Sequence, residues 1–126
     1  DAWERRVIDQ VIERVEEDGG DARQRLRRLF ALSASPADDL VRIELAVRDW
    51  ARRDRRVATR LKRIDNRRID YLRSLFAGFC SDEHEVEIRC LITLAMFIGA
   101  RSLAADHGPW RRGDLVKDAQ ERLLEA

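Results

Sequence analysis

The sequence predicts an all-α fold, a helical bundle of about six helices that forms a homodimer through its last two. Three observations carry the fold class. Apolar residues recur at three- and four-residue steps along the whole chain. No stretch alternates apolar and polar with the period of two that a half-buried strand needs. The interruptions between periodic stretches hold capping and breaking residues. Composition agrees: over 126 residues, hydrophobic types are 44% and charged types 39%. That is apolar enough for one domain core and too apolar for a disordered tail. With 6 Gly, 2 Pro and 2 Cys, collagen-like and disulfide-scaffold classes are excluded. Residues 1–126 therefore read as one domain.

The first helix carries Trp3, Val7, Ile8, Val11, Ile12 and Val15 on one stripe, and Gly19-Gly20 ends it. Asp21 and Gln24 have the spacing of a capping box for a short second helix, with Leu26, Leu29, Phe30 and Ser33 on one face. Ser35-Pro36-Ala37-Asp38 reads as the next start, serine as cap and proline in the first turn. The third helix then presents Leu40, Ile43, Val47, Trp50 and Ala51. Asp54 caps the fourth, whose stripe is Val57, Leu61, Ile64, Leu72, Leu75, Phe76 and Phe79, with Arg68 interrupting it. Ser81-Asp82 opens a fifth helix from Glu83 to about Ala105, apolar on so many sides that more than one surface must cover it. His107-Gly108-Pro109 stops it, His107 meeting the carbonyl end of a helix, and Gly113-Asp114 opens the last helix with Leu115, Val116, Ala119 and Leu123.

The formal charge is +1, so no global field draws the chain to nucleic acid or a membrane. The arginine-dense run Arg48 to Arg73 could read as a phosphate-binding stripe. Its interleaved acids, as in Asp49–Arg53 and Asp70–Arg73, favour a solvated helix face with ion pairs. The longest nearly uncharged run, 90–100, falls short of the about 20 residues of a membrane span. No signal peptide is visible, so a cytoplasmic location is expected. Cys80, His84 and Cys90 lack a fourth zinc ligand at suitable spacing, and Cys90 reads as a small buried hydrophobe. Neither a metal nor a cofactor is expected. Without a nucleophile elbow, a phosphate loop or H-E-x-x-H, the chain does not read as an enzyme.

The segment from Glu44 to Phe76, ELAVRDWARRDRRVATRLKRIDNRRIDYLRSLF, resembles the ligand-binding and dimerisation part of tetracycline-repressor (TetR) family transcription regulators. The resemblance rests on Trp50-Ala51, Asp54, Val57-Ala58, Ile64-Asp65, Arg68, Tyr71-Leu72 and Leu75-Phe76. Upstream, Trp3-Glu4-Arg5, Val11-Ile12-Glu13, Gly19-Gly20-Asp21 and Leu26-Arg27-Arg28-Leu29 resemble the helix leading out of that family's DNA-binding head. Arg55 stands where family members commonly have proline, so a less sharp break is expected there. The head itself, with its helix-turn-helix, is missing from these residues.

The resemblance implies the effector-sensing and dimerisation domain of a repressor. Its partners would be a second copy, an unidentified small-molecule effector, and operator DNA through the head. It places the effector among helices carrying Phe30, Trp50, Arg68 and Tyr71, although aromatics at helical spacing are usually core residues. Asp65 and Arg68, one turn apart, could orient a polar ligand group or brace the bundle. The family dimerises through its last two long helices. Here the stripe Ile88, Ile92, Ala95, Gly99 and Ser102, small in its C-terminal half and joined by Val116, Ala119 and Leu123, is the expected interface. Leu91, Leu94, Ile98 and Arg101 are then expected to face the domain's own core. The alternative is a helical homodimeric scaffold with no small ligand.

Overall fold

Aspartate side chains cap the starts of four helices, as their chemistry dictates. In the computed structural model, which describes residues 1–34 and 38–126, helix α1 runs through Ala2–Glu4, a π-helical stretch Arg5–Asp9 and Gln10–Glu17. The Asp1 side chain accepts from the Glu4 amide at 2.9 Å. Gly19 and Gly20 end α1 in the left-handed region, at φ 63° and 97°, where a side chain would be strained. The Asp21 amide donates to Gln24 Oε1 at 2.8 Å and the Gln24 amide to Asp21 Oδ1 at 2.9 Å. This is the reciprocal capping box the spacing predicts, and it opens α2, Ala22–Ala34.

Helix α3 spans Asp38–Ala51; its predicted cap, Ser35-Pro36, lies outside the described residues. Asp54 Oδ1 accepts from the amides of Arg56 and Val57 and starts α4, Arg55–Phe76, so a firm break forms without the proline. Asp82 caps α5, Glu83–Gly99, through the His84 amide, and α6 is Arg112–Leu123. Among the described residues there are six helices and no strand, and no helix is long and apolar enough to cross a membrane.

Helix α5 stops at Gly99 rather than near Ala105, and α6 begins just ahead of the predicted Gly113-Asp114. The physical reason is Arg112. Its guanidinium donates to the carbonyls of Ala100, Leu103 and Ala105, and its Nε to His107 Nε2 at 3.1 Å. The Ala100 carbonyl, which a helix reaching Ala105 would pair with the amide four residues on, is taken by this arginine from the next element. His107 accordingly serves as an acceptor for Arg112 rather than as a donor to a helix end.

Helix α4 lies at the centre, against α2, α3, α5 and the π stretch of α1. The core joins Leu26 and Phe30 of α2, Leu72, Leu75 and Phe76 of α4, Val86 and Cys90 of α5, and Leu124. Ile8, Val15 and Ile64 are buried as well. Helix α3 is different: among its described side chains the buried one is Glu44, at 7% exposure. Trp50, predicted on the buried face, is 54% exposed. It stands about 120° around the helix from Glu44, and the Glu44 face is the one turned to α4.

Candidate functional site

Where α3 meets α4, two carboxylates and two guanidiniums form a closed set. On α3, Glu44 and Arg48 are one turn apart, and Glu44 Oε1 accepts from Arg48 Nη2 at 2.9 Å. On α4, Asp65 and Arg68 are likewise one turn apart, at 3.3 Å. Across the seam Arg48 holds Asp65 in a two-pronged pair at 2.7 and 3.0 Å, and Arg68 holds Glu44 at 2.8 and 3.1 Å. Each charge meets two of opposite sign, which is the condition for burying ions without a prohibitive desolvation cost. Desolvation opposes the charge on Arg48, yet Asp65 and Glu44 hold its pKa above the ordinary value.

The Arg68 guanidinium also faces two rings, Trp3 at 5.9 Å and Phe97 at 5.5 Å, a cation–π arrangement. Beyond Phe97 lies Arg101, 4.6 Å from the same ring, donating to the carbonyls of Phe97 and Ser33. Burial lowers its pKa, with the Glu44 charge acting in the opposite sense. Among the described residues Arg101 has no carboxylate within ion-pair distance.

The predicted ligand residues occupy different settings. Phe30 is a core side chain. The Tyr71 ring packs against the same core, and its hydroxyl donates to Glu16 Oε2 at 2.8 Å; burial and that carboxylate raise its pKa. Arg68 belongs to the charged set, and Trp50 is exposed. Two open clefts, of ≈ 520 and ≈ 590 Å3, lie instead along α1: one is lined by Arg5, Asp9, Ile12, Glu13 and Arg67, the other by Asp1, Ala2, Glu4, Arg5 and Asp9. None of the four predicted residues lines either. Glu44 and Arg48 were missed by sequence reasoning. Their one-turn spacing was visible, but the same spacing at Asp49–Arg53 gives only an exposed pair at 3.4 Å.

In the arginine-dense run the exposed pairs Asp49–Arg53 and Asp70–Arg73, at 3.4 and 2.6 Å, fit the predicted solvated face, whereas Arg48 and Arg68 turn inward, and other members tie α4 to α1. Arg60 reaches Asp1 at 3.7 Å, Arg63 reaches Glu4 at 2.6 Å, and Arg67 reaches both Glu4 and Asp9 at 2.7 Å.

The outer face of α5 is apolar and uncovered: Ile88 is 38%, Leu91 66% and Ile92 43% exposed, with Ala95 and Gly99 also exposed. Leu91 was expected to face the core. The buried stripe is instead Val86, Cys90 and Thr93, with Leu94 packed against the core, and Leu91 stands about 100° from Cys90. Ser102 is exposed but lies past the end of α5, so it does not continue the helical stripe. On α6, Val116, Ala119 and Leu123 are half-buried.

Cys90 is fully buried, as a small hydrophobe would be, and burial pushes its thiol up to about 11, with Glu87 adding and Arg73 opposing. Cys80 is half-buried and free. With a thiol-reactive dye at pH 8, one thiol, Cys80, should react in the native protein, and Cys90 only after unfolding; two fast thiols would contradict the burial.

No family model matches the chain, and neither a curated protein nor a solved structure matches it.

Proposed function

We propose that this chain is the effector-sensing and dimerising domain of a TetR-like transcriptional repressor, acting in the cytoplasm with a DNA-binding head that precedes it in the parent protein. The observation that carries the reading is the uncovered apolar face of α5, on a helix whose opposite side is already core. A second copy of the same face is its simplest occupant, since a symmetric dimer needs only self-complementarity. The ordered series of sequence features that resembles the family supports the rest. The mechanism would be linkage: an effector that binds one arrangement of the bundle better than another shifts the spacing of two heads and their fit to adjacent half-sites. Sedimentation equilibrium of the chain should give twice its 14.7 kDa mass; a monomer at tens of micromolar would remove the dimer from the proposal.

A homodimeric scaffold without a small ligand is the second reading. It is favoured by the mutual satisfaction of Glu44, Arg48, Asp65 and Arg68, which leaves that set no free valence for an effector. Screening small metabolites by thermal shift separates the two. Sensing requires a compound that raises the melting midpoint of the wild-type chain; if none does, the scaffold reading stands.

A further inference from the structure

Arg67 donates from Nη1 to Glu4 Oε2 and from Nη2 to Asp9 Oδ1, both at 2.7 Å. The two carboxylates are five residues apart. In a regular α-helix five residues turn the chain to about 140° from its starting direction, too far for one guanidinium to grip both. They face the same arginine because the stretch between them is π-helical, with the Gln10 amide bonded to the Arg5 carbonyl. One extra residue is held within the helix, at the place where Arg67 spans it. Such bulges inside α-helices concentrate at functional sites.

Two further observations bear on this register. The Trp3 indole N–H is buried with no acceptor among the described residues, a cost that the present register carries and another need not. The two clefts along α1 both border Arg5 and Asp9 and are open to solvent, so no neighbouring element covers this side of the segment. Upstream of the π stretch Glu4 is the buried side chain, so ion pairs rather than apolar packing hold this end.

We infer that α1 is a register switch, in which Arg67 clasps Glu4 and Asp9 to keep the extra residue in the helix. Release lets the stretch anneal to regular α-helix, and everything N-terminal of it turns by about 100° and advances about 1.5 Å. The switch itself stands on the geometry of this chain; that the rotation is delivered to a DNA-binding head rests on the function proposed above.

Trp3 sits on the segment that turns, and it serves as the reporter. In a Trp50→Phe, Trp110→Phe background, which removes two exposed indoles, Trp3 is the remaining tryptophan. Arg67→Met should red-shift its emission and raise its quenching by acrylamide, with helicity by circular dichroism retained. Deleting Arg5, an exposed residue within the π stretch, from Arg67→Met should restore the wild-type emission, because no extra residue remains to anneal. Arg5 deletion alone should leave the melting midpoint near wild type. Deletion of exposed Arg14, in the regular part of α1, should lower it, because it turns Ile8 and Glu4 away from α4. If Arg67→Met loses helicity, Asp9→Asn, which opens one arm of the clasp, is read in the same way. An unchanged Trp3 signal overturns the switch. So does exposure that Arg5 deletion fails to reverse, since Arg67 would then only tie down a fraying end. None of these readouts needs a head, an effector or a dimer, so failure of the repressor reading is seen separately, in sedimentation.

Discussion

Glu44→Ala is expected to destabilise the fold by about 3 kcal/mol, the low end of what removing one member of a buried ion set costs. For a domain of this size that is a fall of roughly 10 °C in melting midpoint. Glu44 is the keystone because it accepts from both Arg48 and Arg68. Without it, Asp65 alone faces two guanidiniums, and Arg68, whose side chain is 11% exposed, cannot turn to water for compensation. The figure stays at the low end because Arg48 and Asp65 keep partial contact with solvent. Arg27→Ala, which removes an exposed pair with Glu121 at 3.3 Å, should leave the urea midpoint close to that of the wild type. Replacing the whole set, with Glu44→Leu, Arg48→Met, Asp65→Leu and Arg68→Met together, should recover most of the loss, because no unpaired ion then remains buried. Urea denaturation of the three variants measures all of this. A Glu44→Ala change below 1 kcal/mol would mean that the set is hydrated and does not brace the α3–α4 seam.

The features that could be read in the sequence are those decided within one helical turn. The capping box of Asp21 and Gln24 and the caps of Asp54 and Asp82 are short-range bonds between residues two or three apart. The breaks they produce therefore stand where the residues predict. What could not be read depends on partners far along the chain. Arg112 ends α5 by reaching back to carbonyls as far as Ala100. The π stretch is spanned by Arg67, 58 residues beyond Asp9. The candidate site divides in the same way. Arg68 was visible as a cation interrupting an apolar stripe, and Asp65 as its neighbour one turn away. Their partners Glu44 and Arg48 sit on another helix, in a sequence full of similarly spaced pairs, so spacing alone could not mark them out. On α3 the predicted stripe is half-buried at Leu40, Ile43, Val47 and Ala51; Trp50 departs from it because the centre of the inward face is Glu44, about 120° away.

Leu91→Glu should convert a dimer of this chain to monomers. Leu91 is the most exposed of the apolar side chains on the outer face of α5, and in a symmetric contact it is buried twice, once from each copy. Covering its exposed part contributes about 1–2 kcal/mol per copy. Two glutamates in its place add the cost of burying like charges close together. The dissociation constant should therefore rise by about 100-fold or more. Gly99→Arg tests the other end of the same helix. A Cβ added at Gly99 meets nothing within 4 Å in the single chain, so the variant keeps its own fold and loses only what a neighbouring molecule would place there. Leu45→Glu is the matched control, an exposed leucine on α3 away from this face, and it should leave the dimer intact. Sedimentation velocity at several concentrations, with circular dichroism to confirm equal helicity, distinguishes the outcomes. If Leu91→Glu and Gly99→Arg dimerise as tightly as the wild type, the α5 face is not the contact. If Leu45→Glu dissociates instead, α3 is.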